Sequence, residues 1–258
     1  MNQIINYTYF GEMAAISAAI CWSFAVIIFR SASSELSPFL ITALKNSLAL
    51  IFFTLSFFVF NMPFWIDSFL ISDYIKIIIS GMLGMGIGDV LFIYALSKIG
   101  ANRVAIVNAF EPAVIYIFSI AMLGTILTIQ QLIGFVIVIV SMIIIVSEKD
   151  YNDIEPRIKR NGMFLQILAV ILSSFGIVLI KPVLNKINGN MEVQIWITTF
   201  RLVPGFIIAW LVFLFQKNKK QLLIPLKKSK NLWKIILSSG LGTFIALSFW
   251  IIGYSYIE

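Results

Sequence analysis

Apolar residues fall into eight blocks, approximately 11–29, 38–60, 77–97, 104–123, 128–147, 163–180, 193–215 and 235–257, separated by short polar stretches. Blocks of roughly 18 to 25 residues match a hydrocarbon core of about 30 Å crossed at about 1.5 Å per helical residue. They lack a period of two, and an open strand in lipid would leave its backbone N–H and C=O groups unpaired. Each block is therefore predicted to be a transmembrane α-helix.

Composition strengthens this picture. Of 258 residues, 60% are hydrophobic and 12% charged, and the mean hydropathy is +0.99, which leaves too little polar surface to coat a soluble globule. The formal charge of +7 sits mainly in the short loops, where lipid headgroups and cytosol are the natural partners, so no nucleic-acid binding is expected. The absence of histidine and the single cysteine, Cys21, exclude a disulfide framework, a Cys/His zinc site, His-ligated haem and His acid–base catalysis. No cofactor or metal is expected. The segment MNQIINYTYF carries no Lys or Arg and lacks the basic region of a signal peptide, so the first block is expected to stay in the membrane.

The chain also resembles itself. Ser23-Phe24 and the apolar run to Arg30 match Ser174-Phe175 and the run to Lys181, Thr42 and Lys45 correspond to Thr198 and Arg201, and residues 80–100 align with 238–258. The order of these matches supports a five-span unit over 11–147 and a second over 163–258, and a unit with an odd number of spans makes its copy point the opposite way. The second unit would hold three spans, so the chain is expected to be a truncated product or fragment. Lys76, Lys181 and Lys186 lie on the side of the N-terminus; Arg30, Lys98, Arg103, four basic residues in 149–160 and the lysines of 217–234 lie opposite. The positive-inside rule then puts the N-terminus outside.

Ionisable groups inside spans mark function, since each costs about 2.5–3.5 kcal/mol at a helix centre. Four stand out: Lys45, Asp89, Glu111 and Arg201. Glu111 precedes Pro112, whose missing N–H frees the carbonyl of Asn108 and favours a kink; Asn108, Glu111 and Ile115 share one helical face. This group is a candidate polar site for a solute or a proton, and the alternative is that Glu111 only neutralises Lys45. Asp89 follows four glycines in Gly81–Gly88. It either lines the cavity of Glu111 or holds a cation such as Lys98 or Arg103, while Gly84 and Gly88 let another helix approach. Arg30 and Lys181 are expected to anchor at the interface. Tyr94, Trp22 and Trp250 could stack on a solute, with packing the simpler role.

These features carry a family resemblance. Gly88, Asp89, Leu91, Ala95, Leu96, Gly100 and Ala101, then Pro112, then Leu127, Thr128, Gln131 and Gly134 follow the spacing of EamA-type drug/metabolite transporters, and the likeness runs from about residue 11 to the end. The resemblance implies an all-α carrier of two inverted five-helix repeats, here eight spans of ten. It would export or exchange amino acids or similar metabolites by alternating access in the plasma membrane of a prokaryote. Where relatives place an acid at the end of span four, this chain has Thr125. Full-length relatives keep both termini in the cytoplasm, against the loop charges, which are followed here.

Asn108, Glu111, Asp89, Lys45, Arg201 and Tyr94 are thus the candidate solute- or proton-binding residues of a carrier. Two alternatives stand beside it. One is a multi-span enzyme acting on a lipid-linked substrate, for which neither G-x-S-x-G nor H-E-x-x-H is present. The other is a chain inactive alone, or one that pairs as a homodimer or with another half to rebuild a cavity.

Overall fold

The computed structural model describes residues 9–126, 128–147, 154–187, 190–227 and 229–256. Leu127, the first eight residues and the segment 148–153 with Lys149 lie outside them. Helix α1 (Phe10–Ser33) is followed by α2 (Pro38–Val59), α3 (Ile71–Ser80), a π-helical segment (Gly81–Gly88) and α4 (Asp89–Asn108). Then come α5 (Glu111–Leu123), α6 (Ile129–Ser147), α7 (Pro156–Asn185), α8 (Met191–Leu214) and the short α9 (Lys219–Leu223). A 3₁₀ turn (Ile224–Lys227) leads to α10 (Ser229–Ser238), a second π-helical segment (Ser239–Ala246) and α11 (Leu247–Tyr256).

Six helical stretches among the described residues are long and apolar enough to cross a membrane. Within the expected eight blocks, the fourth gives only a shorter apolar helix, Glu111–Leu123, while the fifth corresponds to α6, Ile129–Ser147. The reason is local. Block four opens as the end of α4, beyond a bend at Gly100 (φ 84°, ψ 168°), and its helix stops at Ala109 and restarts at Glu111 with Pro112 in the first turn. Pro112 thus produces a break, because a ring without N–H is tolerated at a helix start and disfavoured inside one. The dihedrals of Gly100 are open only to glycine. Gly100→Ala is expected to cost about 1–3 kcal/mol in an unfolding titration, although no neighbour lies within 4 Å of the added methyl.

The helices show the sidedness of a membrane bundle. On α1, Ala14, Ala18, Ala25 and Ala32 are buried while Ile16, Ile20, Phe24 and Ile27 are exposed. Small residues face protein and large apolar ones face outward, as expected where lipid is the solvent and close packing drives association. Polar groups manage the helix ends. Thr128 and Gln131 exchange hydrogen bonds, each backbone N–H donating to the other's side chain, so the T-x-x-Q of the family-like motif is a capping box for α6. Asn190 caps α8 by accepting from the N–H groups of Glu192 and Val193. Lys186 donates to Asp73 at 2.7 Å and ties the end of α7 to the start of α3.

The two π-helical segments are both eight residues long, and the alignment of 80–100 with 238–258 superposes them residue for residue. Their packing is reciprocal: the first lies on α7 and α8, the second on α1 and α2, while α4 packs on α7 and α11 on α1. Arg30 donates to the carbonyl oxygens of Leu96 and Ser97, and Lys181 donates to that of Tyr254 at 2.7 Å, the residue aligned with Leu96. These two cations therefore fasten span ends to neighbouring backbone, where interfacial anchoring alone was expected.

Candidate functional site

The site is assembled from three devices. Glycines bring the first π-helical segment onto α7 and α8: a Cβ on Gly81 would lie 2.0 Å from the Arg201 carbonyl oxygen, one on Gly86 would lie 2.8 Å from Ile208, and one on Gly88 would lie 3.0 Å from the Ser173 hydroxyl. Close approach was expected at Gly84 and Gly88. Gly88 makes that approach to α7, the tightest contacts fall at Gly81 and Gly86, and a Cβ on Gly84 would find ordinary contact at 3.7 Å. The loosened turns of this segment are held by side chains, with the Asn46 amide donating to the carbonyl of Met85 at 3.0 Å. π-helical turns recur at functional positions because they redirect side chains and free carbonyls.

The second device is a buried ion pair. Lys45 on α2 is 1% exposed and donates to the Asp89 carboxylate, which is 19% exposed. Neither Glu111 nor Lys98 nor Arg103, the partners considered from sequence, forms this pair. Geometry decides it, since α2 and the start of α4 pack together. Lys98 instead lies over the Tyr94 ring at 5.4 Å, and Arg103 donates to the carbonyl of Ile99.

The third is a cavity of about 830 Å³, largely apolar in its lining with a few charged and amide groups set into it. Asp89, Asn108, Glu111 and Arg201 all line it, on α4, α5 and α8. Gln166 on α7, which sequence reasoning missed, donates to the Asn108 amide oxygen at 2.6 Å; an amide inside the apolar block 163–180 was the available signal. Two expected members are not lining residues. Lys45 stands behind Asp89, and Tyr94 stacks on Phe39 with ring centroids 5.5 Å apart. Ile115, expected on the same face as Asn108 and Glu111, packs against a hydrophobic cluster one turn beyond Glu111 and is not among the lining residues. Trp22 and Trp250 face the cavity from α1 and α11.

The electrostatics are uneven. Asp89 has its cation, while no ion pair to Glu111 occurs among the described residues. Arg201 is 3% exposed; its Nε donates to the Ser80 hydroxyl at 3.0 Å, and that hydroxyl donates in turn to the carbonyl of Gly176. The sequence also holds one D-x-x-D spacing, Asp150 and Asp153, which lies outside the described residues.

Apolar helices around a partly open cavity that carries Asp89, Glu111 and Arg201 define a multi-span membrane protein. Residues 9–147, more than half of the chain, match the model of the EamA-like transporter family, and the chain belongs to that family. This is a family of membrane transporters of small solutes, consistent with the drug/metabolite transporter superfamily. No curated protein matches the chain.

Proposed function

We propose that the protein is a secondary carrier that exports or exchanges small metabolites such as amino acids by alternating access. Its moving parts are two inverted units, 11–147 and 163–258, that rock about the cavity. The reciprocal packing of the π-helical segments and the matching of Arg30–Leu96 with Lys181–Tyr254 support this division. Each unit contributes to the cavity: Asp89, Asn108 and Glu111 from the first, Gln166, Arg201 and Trp250 from the second.

The observation that carries the reading is that Asp89 and Glu111 open into one cavity while only Asp89 is held by a cation. A carboxylate inside a membrane protein requires a counter-charge. Glu111 has no fixed one among the described residues, so a proton or a cationic group of the solute fills that role, and an exchange between the two couples transport to protons. In proteoliposomes, uptake by the native protein is expected to follow protonation of a single carboxyl group, changing on the order of tenfold per pH unit on its steep limb. Glu111→Gln is expected to flatten that profile. A variant with the pH profile of the native protein would remove Glu111 from the coupling.

A further inference from the structure

Between Glu192 and Glu258 the chain holds no Asp or Glu, yet seven lysines fall in 217–234. The other basic stretch, 148–160, carries four acids among its four cations and is neutral. The lysine-rich segment is built as a fixed surface. After α8 the chain reverses at Asn218, whose φ of 58° is a left-handed conformation that asparagine tolerates. Leu222 and Leu226 then pack α9 and the 3₁₀ turn against the hydrophobic core. Asn231, fully buried, donates to the carbonyl of Pro225 at 3.0 Å and pins the turn to α10.

Two lysines on this segment are engaged. Lys219 donates to the Leu214 carbonyl at 3.1 Å, where a cation suits a helix C-terminus, and Lys234 pairs with Glu35. Lys217, Lys220 and Lys227 are exposed and join no ion pair among the described residues. Interleaved with them along the chain are large apolar side chains turned outward: Phe215 is 83%, Ile224 60% and Trp233 69% exposed. Such a mixture is poorly served by water, which solvates the ammonium groups and not the aromatic and aliphatic ones.

We propose that the α8–α10 loop is a docking surface for anionic membrane lipids, with Lys217, Lys220 and Lys227 taking headgroup phosphates while Phe215, Ile224 and Trp233 enter the adjoining acyl boundary. The edge of the bilayer, into which α8 and α10 already run, supplies the negative charge and the apolar medium together. An acidic soluble protein would supply the charge and leave the apolar side chains uncovered. None of these six residues lines the cavity, so the surface stands whether or not the chain is a carrier.

The test uses the purified full chain in neutral detergent, mixed with equal amounts of phosphatidylglycerol and phosphatidylcholine, with bound lipid counted by native mass spectrometry. Phosphatidylglycerol adducts should dominate, and raising the salt tenfold should erase the preference by screening. Each lysine near an anionic surface contributes about fivefold. The triple variant Lys217→Gln, Lys220→Gln, Lys227→Gln should therefore lose on the order of 100-fold in affinity for phosphatidylglycerol. The triple variant Arg157→Gln, Lys159→Gln, Arg160→Gln, with the same change in net charge, should keep most of it. Equal binding of the two lipids by the native chain, an unchanged preference in the first variant, or equal losses in both variants would each overturn the proposal. So would displacement of the lipid by about 10 mM inorganic phosphate, which would make phosphate alone the ligand, and saturable binding of poly-glutamate without a lipid preference, which would put an acidic protein there.

Discussion

Lys45→Met is expected to lower the unfolding free energy by about 3 kcal/mol, the lower end for breaking a buried pair. Asp89 would keep its charge and lose its counter-ion, and its 19% exposure to the cavity lets water recover part of the loss. The double variant Lys45→Met with Asp89→Asn removes both charges together and is expected to lose much less than the two single changes combined, a coupling of about 1–3 kcal/mol. Denaturant titration in detergent micelles, with tryptophan fluorescence as the signal, reads all four proteins. Strict additivity would mean that the two groups do not meet. The pair also matters to function, because Lys45 fixes the carboxylate of Asp89 at the cavity wall.

A methyl group at Gly81 is expected to be at least as damaging. The Cβ of Gly81→Ala would sit 2.0 Å from the Arg201 carbonyl oxygen and 2.8 Å from its carbon. Both are backbone atoms, which no rotamer change can move aside, so α8 must shift as a body. Overpacking of this kind costs about 3 kcal/mol or more. The displacement would also disturb the bond from Arg201 Nε to the Ser80 hydroxyl. Gly134→Ala on α6 is the contrast. Nothing lies within 4 Å of the added methyl, and helix propensity alone should make that variant more stable by up to about 1 kcal/mol. Equal effects of the two substitutions would contradict the packing described here.

Much of the fold was legible because bilayer physics is read along the chain. The eight apolar blocks are largely helical where described, the fourth being broken at 109–110, and the glycines of 81–88, Gly84 apart, mark close helix approach. Pro112 was recognised as a disturbance, but whether a proline kinks a helix or restarts one depends on its neighbours, and here one helix ends at Asn108 and the next begins at Glu111. The ionisable residues were legible as exceptions in an apolar background, whereas their pairing was not. Lys45 could have met Glu111, and Asp89 could have met Lys98 or Arg103, because one-dimensional spacing says nothing about which helix faces which. Gln166 and the Ser80–Arg201 bond escaped for the same reason: an isolated glutamine or serine in a span gains meaning only from what lies opposite.

By itself the sequence determined that lipid is the solvent, which segments must be helical, and which few charged groups must find partners inside, since these follow from transfer free energies of single residues. The tertiary structure decided which of the two cavity carboxylates pairs with Lys45, and which hydroxyl holds the buried guanidinium of Arg201. Those outcomes depend on contacts between helices far apart in the chain, set by where glycines allow backbones to touch.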